Sequence, residues 1–532
     1  MKIAMLAPTI APLTSIGGLG DVMRDLSKYL VREDNKVVVL TPDHYGKISK
    51  ISNKEIYNFQ IMYNGAPLNF KVLEVIHPTT NVKIIAFSNE QFNKLDMWDS
   101  VKYEIFSEVV LKYLEINKVD CVSGHDWASG LAIAKCHDIL NLPTTITIHN
   151  EAFKGPIVQY NNFVMTFLEL GVKFSDAFNT VSPTHSEEIK SIDFINEQSN
   201  LKPFHGILNG IDFENYNSMK ITERMSYLCN KLNPKDYGYL ENYGPFNALH
   251  VKPKIRESWL YEEGINKYIE QWNNIDKNNN SLSGTDVEIY GKLNKQNNDV
   301  PLFGMVGRAT NQKGFDITLQ CFSEILEEHS VQLIMLAKGD EKIEKQLGDF
   351  AESYSSNVMS LIGHCMPLTS IIYSSSNWTL APSLWEPCGL VQIESMAHCT
   401  PVIGREIGGL KDTIIPLSPD PINSPNFHEA TGVLFKDYNK DGLKWGVEHA
   451  LNWTYYKIKE LCIFLEYSSV KCPEHPLDKG SPLECMMKNC YNHTLKNLSW
   501  ENNNSVDKYK GLFGGAIYTH NFGNILCKIY GK

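Results

Sequence analysis

Short apolar runs rich in β-branched residues recur along the first part of the chain, and longer segments of mixed polarity separate them. These runs begin at Lys2, Lys36, Val82, Asp120, Thr144 and Ala177. Continuous apolar strands of this length, alternating with helices, are what a parallel sheet covered on both faces requires. The pattern predicts a doubly wound α/β domain.

The first of these runs leads into a glycine-rich turn and a helix, "APLTSIGGLGDVMRDL". Asp21 falls in the first turn of the predicted helix, and Val22, Leu26 and Leu30 fall on one face. A strand, a glycine turn and a helix in this order allow backbone amides to bind a phosphate or a sugar. We therefore expect this loop to contact a ligand.

The alternation of strands and helices restarts at Pro301 and continues to about Phe435, which predicts a second doubly wound sheet. A chain of 532 residues exceeds a single domain, so we expect two. The predicted divisions are residues 1–212, a linker with an insertion at 213–299, a second domain at 300–500, and a helical tail at 501–532 that returns to the first domain. Within the linker, the Asn-rich stretch 273–299 has the composition of a solvated loop.

Composition narrows the classes of partner. The net charge of −11 argues against nucleic acid, which basic faces usually bind. No window of about 18 apolar residues predicts a membrane span, and the opening "MKIAMLAP" has no leader-like pattern, so we expect a cytoplasmic protein. The twelve cysteines lie mostly in apolar runs, which favours buried thiols over disulfides.

Two loops after strands of the second domain hold candidate ligand-binding residues. Arg308 and Lys313 in "GRATNQKGFD" offer a planar fork of donors and a mobile point charge, a combination that suits a diphosphate. In "SLWEPCGLVQIES", Glu386 is expected to end a strand in front of a helix, with the amides of Gly389 and Leu390 free to donate. Both loops also fit simpler interpretations, namely solvated cations and a capped helix with exposed acids.

Eight motifs, in this order, resemble those of the bacterial glycogen synthase and starch synthase family: "GGLGDV", "GHDW", "TIHNEAFKG", "TVSPT", "GILNGID", "GRATNQKGFD", "WEPCGL" and "GGLKDT". The resemblance implies a retaining glycosyltransferase of the GT-B fold, in which two Rossmann-like domains face each other across a cleft. It also implies transfer of glucose from ADP-glucose to the 4-hydroxyl at the non-reducing end of an α-1,4-glucan. No metal or other cofactor is expected, because cations and amides of the protein neutralise the diphosphate.

Carried over by motif, the resemblance implies roles for individual residues. Arg308 and Lys313 would bind the diphosphate, Glu386 the 3- and 4-hydroxyls of the glucose, and His149 the same sugar, with Asp126 near the acceptor or supporting His149. These five are the expected catalytic residues. The expected substrate-binding residues are Ser15, Gly17, Gly18, Asp21, Asn209, His364, Cys388, Gly389, Leu390, Glu394, Gly408, Gly409 and Leu410.

Departures from the family pattern leave two alternatives open. Ser15 stands where the family has a lysine, and Thr9 where it usually has an acid, so a glucan-binding or regulatory protein with degenerate catalysis is one alternative. His364 at the expected adenine site and the acid Glu394 favour another, a retaining GT-B transferase with a different nucleotide-sugar or acceptor. Two Cys-x-x-His pairs, at Cys472 and Cys490, could bind zinc, but an ordinary thiol-bearing loop is the preferred interpretation.

Overall fold

The computed structural model describes residues 1–14, 17–52, 54–216, 218–225, 243–275, 284–295, 300–421, 423–456 and 481–530. The chain forms two compact units. Residues 1–210 and 503–532 make up the first, and residues 211–502 the second.

The strands of the first unit include all those that the hydrophobic pattern predicts. They are β1 (Lys2–Leu6), β2 (Lys36–Pro42), β3 (Glu55–Tyr63), β4 (Ala66–Ile76), β5 (Lys83–Ser88), β6 (Cys121–His125), β7 (Thr144–Ile148), β8 (Ile157–Tyr160), β9 (Phe163–Thr166), β10 (Ala177–Thr180) and β11 (Phe204–Gly206). One sheet has the order β11-β10-β7-β6-β1-β2-β5-β4-β3, in which β3 and β4 run antiparallel to their neighbours and the other pairings are parallel. Strands β8 and β9 form a separate hairpin.

Helices connect these strands. They are α1 (Gly18–Arg32), α2 (Lys47–Ile51), α3 (Glu90–Lys94), α4 (Ser100–Ile116), α5 (Trp127–Asp138), α6 (Phe167–Phe174), α7 (Pro183–Glu188) and α8 (Asp193–Leu201). Side chains cap several of them: Asp99 accepts the amide of Val101 at the start of α4, and Thr166 and Glu169 form a capping box on α6. On α1, Val22, Leu26 and Leu30 are buried, as the helical periodicity predicts.

The second unit contains the other predicted sheet. Its strands are β12 (Glu288–Leu293), β13 (Leu302–Ala309), β14 (Gln332–Gly339), β15 (Asn357–Ile362), β16 (Trp378–Ala381), β17 (Val402–Arg405) and β18 (Gly432–Phe435). Their order is β12-β15-β14-β13-β16-β17-β18, and all neighbours are parallel except β12 and β15. The loop prediction for 273–299 is therefore wrong over β12, where an edge strand pairs antiparallel with β15.

The helices of this unit are α9 (Ser218–Met225), α10 (Ala248–Ile255), α11 (Glu262–Asn273), α12 (Phe315–Glu328), α13 (Glu341–Ser353), α14 (Met366–Ser375), α15 (Val391–Ala397), α16 (Gly408–Thr413), α17 (Lys440–Leu451) and α18 (Pro482–His493). The described parts of 213–299 contribute to the core of this unit, where Trp259 and Trp272 are almost fully buried. This aromatic burial explains why the segment folds despite its polar composition.

The last described element is α19 (Ser505–Tyr530), which belongs to the first unit. The hydroxyl of Tyr509 accepts a hydrogen bond from the Asn179 side chain in β10, and Ser505 donates to the carbonyl of Leu208. None of the helices in the described part of the chain combines the length and apolar character that crossing a bilayer requires.

Candidate active site

In the second unit, the loops that follow β13 and β16 bring Lys313 and Glu386 together. Lys313 lies in a short 3₁₀ turn after β13, and its ammonium nitrogen is 2.6 Å from Oε2 of Glu386. Both side chains are largely buried. A cation and a carboxylate at the carboxyl edge of a parallel sheet lie where such sheets bind ligands.

Glu386 is fixed by further hydrogen bonds. Its Oε2 accepts from the Ser383 hydroxyl at 2.9 Å, and its backbone carbonyl accepts from the amide of Gly409 at 2.9 Å. The prediction that Glu386 ends a strand is wrong, because β16 stops at Ala381 and Pro382, which follows, has no N–H for a sheet ladder. The carboxylate lies in the loop instead.

Close backbone contacts join the site loops. A Cβ on Gly409 would lie 2.0 Å from the carbonyl oxygen of Cys388, and one on Gly314, at φ +76°, would lie 2.2 Å from that of Pro382. Only glycine fits at either position. The loops after β13, β16 and β17 are therefore packed as one layer.

The segment around Cys388 leads into α15. Leu390 is the N-cap of this helix, and Gly389, at φ +76°, precedes it. The Cys388 side chain is buried, and its carbonyl accepts from the side chain of Gln392. Gly408 and Leu410 lie in the first turn of α16.

Glu394, in the first turn of α15, is paired with a residue that sequence reasoning missed. Its Oε1 accepts from the hydroxyl of Tyr216 at 2.8 Å, and the ring of Tyr216 packs edge-on against His398. Tyr216 and Glu394 are 178 positions apart, so no local sequence signal predicts the contact.

Arg308 and His364 are both exposed. Nη2 of Arg308 is 3.5 Å from Oε1 of Gln312, whose own amide nitrogen donates to the carbonyl of Trp385. The backbone amide of His364 donates to the hydroxyl of Thr285. Arg308 lies near the end of β13, and Lys313 follows in the turn after this strand.

In the first unit, Asp126 positions the backbone at His149. One carboxylate oxygen accepts the amides of His149 and Asn150, at 2.6 and 3.1 Å. Asp126 lies at the turn after β6 with a positive φ of 57°, and its carboxylate meets the two residues that follow β7. Burial raises the pKa of this carboxyl to about 7, although the two amide hydrogen bonds act in the opposite direction.

The side chain of His149 also contacts His125, a residue of the "GHDW" motif to which the sequence analysis assigns no role. His125 Nδ1 and His149 Nε2 are 2.9 Å apart. Desolvation lowers the pKa of His149 to about 3, and burial, with the neighbouring His149, lowers that of His125 well below its usual value. Both rings are therefore neutral at physiological pH, and one must donate its N–H to the other.

The remaining predicted residues of the first unit lie elsewhere on the fold. Gly17, at φ +80°, is the N-cap of α1, Gly18 begins this helix, and Asp21 forms an ion pair with Arg24. Asn209 is buried, and its Oδ1 has no hydrogen-bond partner among the described residues. Ser15 lies outside the described residues.

The cysteine–histidine pairs are only partly described. Cys472 and His475 lie outside the described residues. Cys490 Sγ is 3.3 Å from the carbonyl of Thr431, and His493 Nε2 is 3.0 Å from that of Thr413. The described pair thus contacts backbone carbonyls.

Two family models match the chain. Residues 2–201 match the starch synthase catalytic domain, and residues 287–459 match glycosyl transferases group 1. A probable glycogen synthase of Methanocaldococcus jannaschii is 55% identical, over 98% of this chain and 99% of its own length. A glycogen synthase of Kosmotoga olearia is 26% identical, over 85% of this chain and 90% of its own.

Solved structures share the fold. The catalytic domain of starch synthase IV from Arabidopsis thaliana, bound to ADP and acarbose, matches with a TM-score of 0.70 at 18% identity, covering 97% of this chain and 99% of its own. An Escherichia coli structure described as trehalose-6-phosphate bound with UDP-2-fluoro glucose matches with a TM-score of 0.53 at 12% identity, covering 96% and 99%.

The two Rossmann-like units, each with a largely parallel sheet, have the GT-B fold. The match to glycosyl transferases group 1, together with the glycogen synthase relatives, makes the protein a glycosyltransferase. The fold class expected from the sequence is confirmed. With a relative at 55% identity over almost the whole chain, the protein belongs to the glycogen synthase and starch synthase family.

Proposed function

We propose that the protein transfers glucose from ADP-glucose to the non-reducing 4-hydroxyl of an α-1,4-glucan, with retention of configuration at the anomeric carbon. The observation that carries the proposal is the buried contact between Lys313 and Glu386, in a chain of the glycogen synthase family. ADP-glucose and the glucan are the two substrates, and no nucleic acid or membrane takes part.

In the proposal, Arg308 and Lys313 bind the diphosphate of the donor. Negative charge grows on this leaving group as its bond to the sugar breaks, and fixed cations stabilise that charge most in the transition state. Lys313 is already oriented by Glu386, so little reorganisation is needed when the donor binds. Arg308 is exposed, which leaves its donor fork accessible to phosphate oxygens.

Glu386 accepts hydrogen bonds from the 3- and 4-hydroxyls of the transferred glucose. Ser383 and Lys313 both contact Oε2, which leaves Oε1 for the sugar. Cys388, Gly389 and Leu390 line the same subsite, and Gly408, Gly409 and Leu410 border the phosphates. The three glycines among these residues let the ligand approach the backbone.

The proposed chemistry needs no enzymic nucleophile. The bond between the anomeric carbon and the phosphate oxygen breaks, the acceptor O4 forms the new bond on the same face, and the phosphate takes the acceptor proton. The protein contributes positioning and electrostatic stabilisation. No metal ion is part of this scheme, since protein cations neutralise the diphosphate.

His149 is proposed to contact the same glucose through its backbone carbonyl or its ring. A neutral imidazole can donate a hydrogen bond to a sugar hydroxyl or accept one from it, and it adds no positive charge near the reacting carbon. Asp126 acts through His149, because its carboxylate holds the amides that set the direction of this residue. Gly17, Gly18, Asp21 and Asn209 complete the proposed contribution of the first unit.

A different donor is the second candidate function, and Glu394 and His364 favour it. The hydroxyl of Tyr216 donates to Glu394, so the carboxylate is fixed in the second unit. Turnover with a panel of nucleotide-sugars separates the two candidates. We expect ADP-glucose to support glucan extension with the highest kcat/KM. Turnover with another donor and none with ADP-glucose would contradict the proposal.

A glucan-binding protein with degenerate catalysis is tested with variants of the full chain. Glu386→Ala and Arg308→Ala should each abolish most extension while glucan binding persists. A parent chain as inactive as both variants, yet still binding glucan, would establish the degenerate alternative. Ser15→Lys is then informative, because restored charge should strengthen ADP-glucose binding if this loop meets the phosphates.

A further inference from the structure

Three side chains from distant parts of the sequence converge in the first unit, away from the residues assigned to transfer. They are His137 on the last turn of α5, Asp176 just before β10, and His520 on α19. One ligand atom from each lies within 4.8 Å of the others. Asp176 and His520 are buried, and His137 is partly exposed.

The distances within this group match a metal centre. His137 Nδ1 is 3.4 Å from one oxygen of Asp176, and His520 Nδ1 is 3.2 Å from the other. Ligands of a tetrahedral zinc ion, bound at about 2.0–2.2 Å, are separated by roughly 3.3 Å. The ligand atoms of all three residues lie within 4.8 Å of one another, so the side chains would have to draw closer together to hold one ion.

Hydrogen bonds around the group orient the proposed ligands. His520 Nε2 is 3.1 Å from the carbonyl of Asn141, so a neutral ring that donates there presents the lone pair of Nδ1 to Asp176. Asp176 Oδ2 accepts the amide of Thr144 at 2.8 Å, which fixes the carboxylate and leaves Oδ1 toward His520. Metal-binding histidines and carboxylates commonly have such secondary partners.

A simple ion pair explains the group less completely. One carboxylate balances one imidazolium, yet two imidazoles face Asp176. His137 Nδ1 makes no well-formed hydrogen bond among the described residues, although it is shielded from solvent. The nearby cation, Lys202, is turned toward the carbonyls of Val172, Lys173 and Ser175 and not into the group.

We propose that His137, Asp176 and His520 bind a zinc ion, with water as the fourth ligand at the exposed side of His137. Because His520 is on α19 while the other two ligands belong to the central fold of the first unit, the ion would link the C-terminal helix to the sheet. It plays no part in glucose transfer. Its effect is on the stability of the first unit.

Zinc binding should weaken as pH falls, because protons compete for the imidazoles.

The test uses the full chain after removal of metal with a chelator. Zinc content and affinity are measured by elemental analysis and by competition with a chromophoric chelator, and thermal unfolding is followed with and without zinc. The parent should bind one zinc ion per chain at this site, and zinc should raise the midpoint of unfolding of the first unit.

Two variants and a control make the result specific. His137→Gln, at a partly exposed position, and His520→Gln should each weaken zinc binding at least about tenfold, the lower end of the cost of losing a residue that only supports a metal ligand. His329→Gln is the control, since it removes a histidine from another group of possible ligands, Glu328, His329 and Glu448, in the second unit. A folded parent that binds no zinc, or a His137→Gln variant that binds it as tightly as the parent does, would overturn the proposal.

Discussion

The ammonium nitrogen of Lys313 lies 2.6 Å from Oε2 of Glu386, and the Ser383 hydroxyl donates to the same oxygen. Both charges are largely removed from water, so each depends on the other for compensation. The pair joins the loops after two adjacent strands, β13 and β16. Its two members are the residues proposed to bind the diphosphate and the glucose.

Replacing Lys313 with Met keeps the aliphatic stem and removes the charge. We expect kcat/KM for the donor to fall by about 10²-fold or more, the usual effect of losing one electrostatic donor in a transition state. Steady-state kinetics with ADP-glucose measures this. Lys313→Arg should retain more activity than Lys313→Met, because it keeps the charge.

The matched control is Lys345→Met, which removes a cation from an exposed i,i+4 pair with Asp349 on α13. Exposed pairs of this kind contribute about 0.5 kcal/mol or less. The control should leave kinetics and stability unchanged. A folded Lys313→Met variant with parental kcat/KM would remove this lysine from the proposed site.

Asp126 should act on catalysis only through the position of His149. Asp126→Asn keeps an oxygen that can accept the amides of His149 and Asn150, and it should stay within a few-fold of the parent. Asp126→Ala removes that acceptor and should lower kcat by up to about 10²-fold, since small misplacements have such effects. Equal losses in both variants would mean that the charge of Asp126, and not its hydrogen bonds, is what matters.

Gly409 cannot accept a side chain without moving the loop that contains Cys388 and Glu386. Gly409→Ala would place a Cβ 2.0 Å from the carbonyl of Cys388, so we expect lower stability of the second unit and a loss of activity. Gly511→Ala is the control, because a Cβ there meets no atom within 4 Å and helix α19 favours alanine. Gly409→Ala should lower the unfolding midpoint and kcat/KM for the donor, while Gly511→Ala should leave both near the parental values. Equal values for the two variants would contradict the close packing of the loops after β16 and β17.

We expect His185 to make the stability of the first unit depend on pH. It is buried beside Glu151, at 3.0 Å, and Glu188, at 3.6 Å. Burial by itself lowers the pKa of His185, but the two carboxylates outweigh it and raise the pKa to about 9. Its stabilising contribution is therefore complete below about pH 6.5 and is lost as pH rises through about 9.

The shift corresponds to about 3 kcal/mol at low pH, from about 1.4 kcal/mol per pKa unit. Urea unfolding at pH 6.5 and pH 9 should show parental stability falling with pH, with His185→Gln less stable than the parent mainly at pH 6.5. His205→Gln, at an exposed position on β11, should follow the parent. A His185→Gln variant with the full parental pH dependence would rule out this residue as its source.

In the first sheet β1, β2, β5, β6, β7 and β10 could be predicted, and in the second sheet β13 to β18, because each is a continuous apolar run between polar segments. Strands β3, β4 and β11 of the first sheet are not predicted. Strand β12 could not be predicted, since it lies at a sheet edge and contains Gly291 at φ +66°, within an Asn-rich stretch. Hydrogen bonds to β15 hold this segment in a strand, although its local composition predicts a loop. Tertiary pairing outweighs local propensity here.

The site could be predicted as a set of motifs but not as a set of contacts. Lys313 and Glu386 are 73 positions apart, and the strand pattern implies only that their loops share one edge of a sheet. The contacts between Tyr216 and Glu394, and between His125 and His149, depend on side-chain directions that periodicity does not specify. The group that includes His520 is brought together only by the packing of α19.

Glucan extension by the full chain, with ADP-glucose as the sole donor, tests the central claim most directly. The account predicts that the parent incorporates glucose into an α-1,4-glucan at its non-reducing ends, and that Glu386→Gln reduces this rate by about 10²-fold or more without loss of folding. No incorporation from ADP-glucose by the folded parent, or equal rates for the parent and Glu386→Gln, would contradict it.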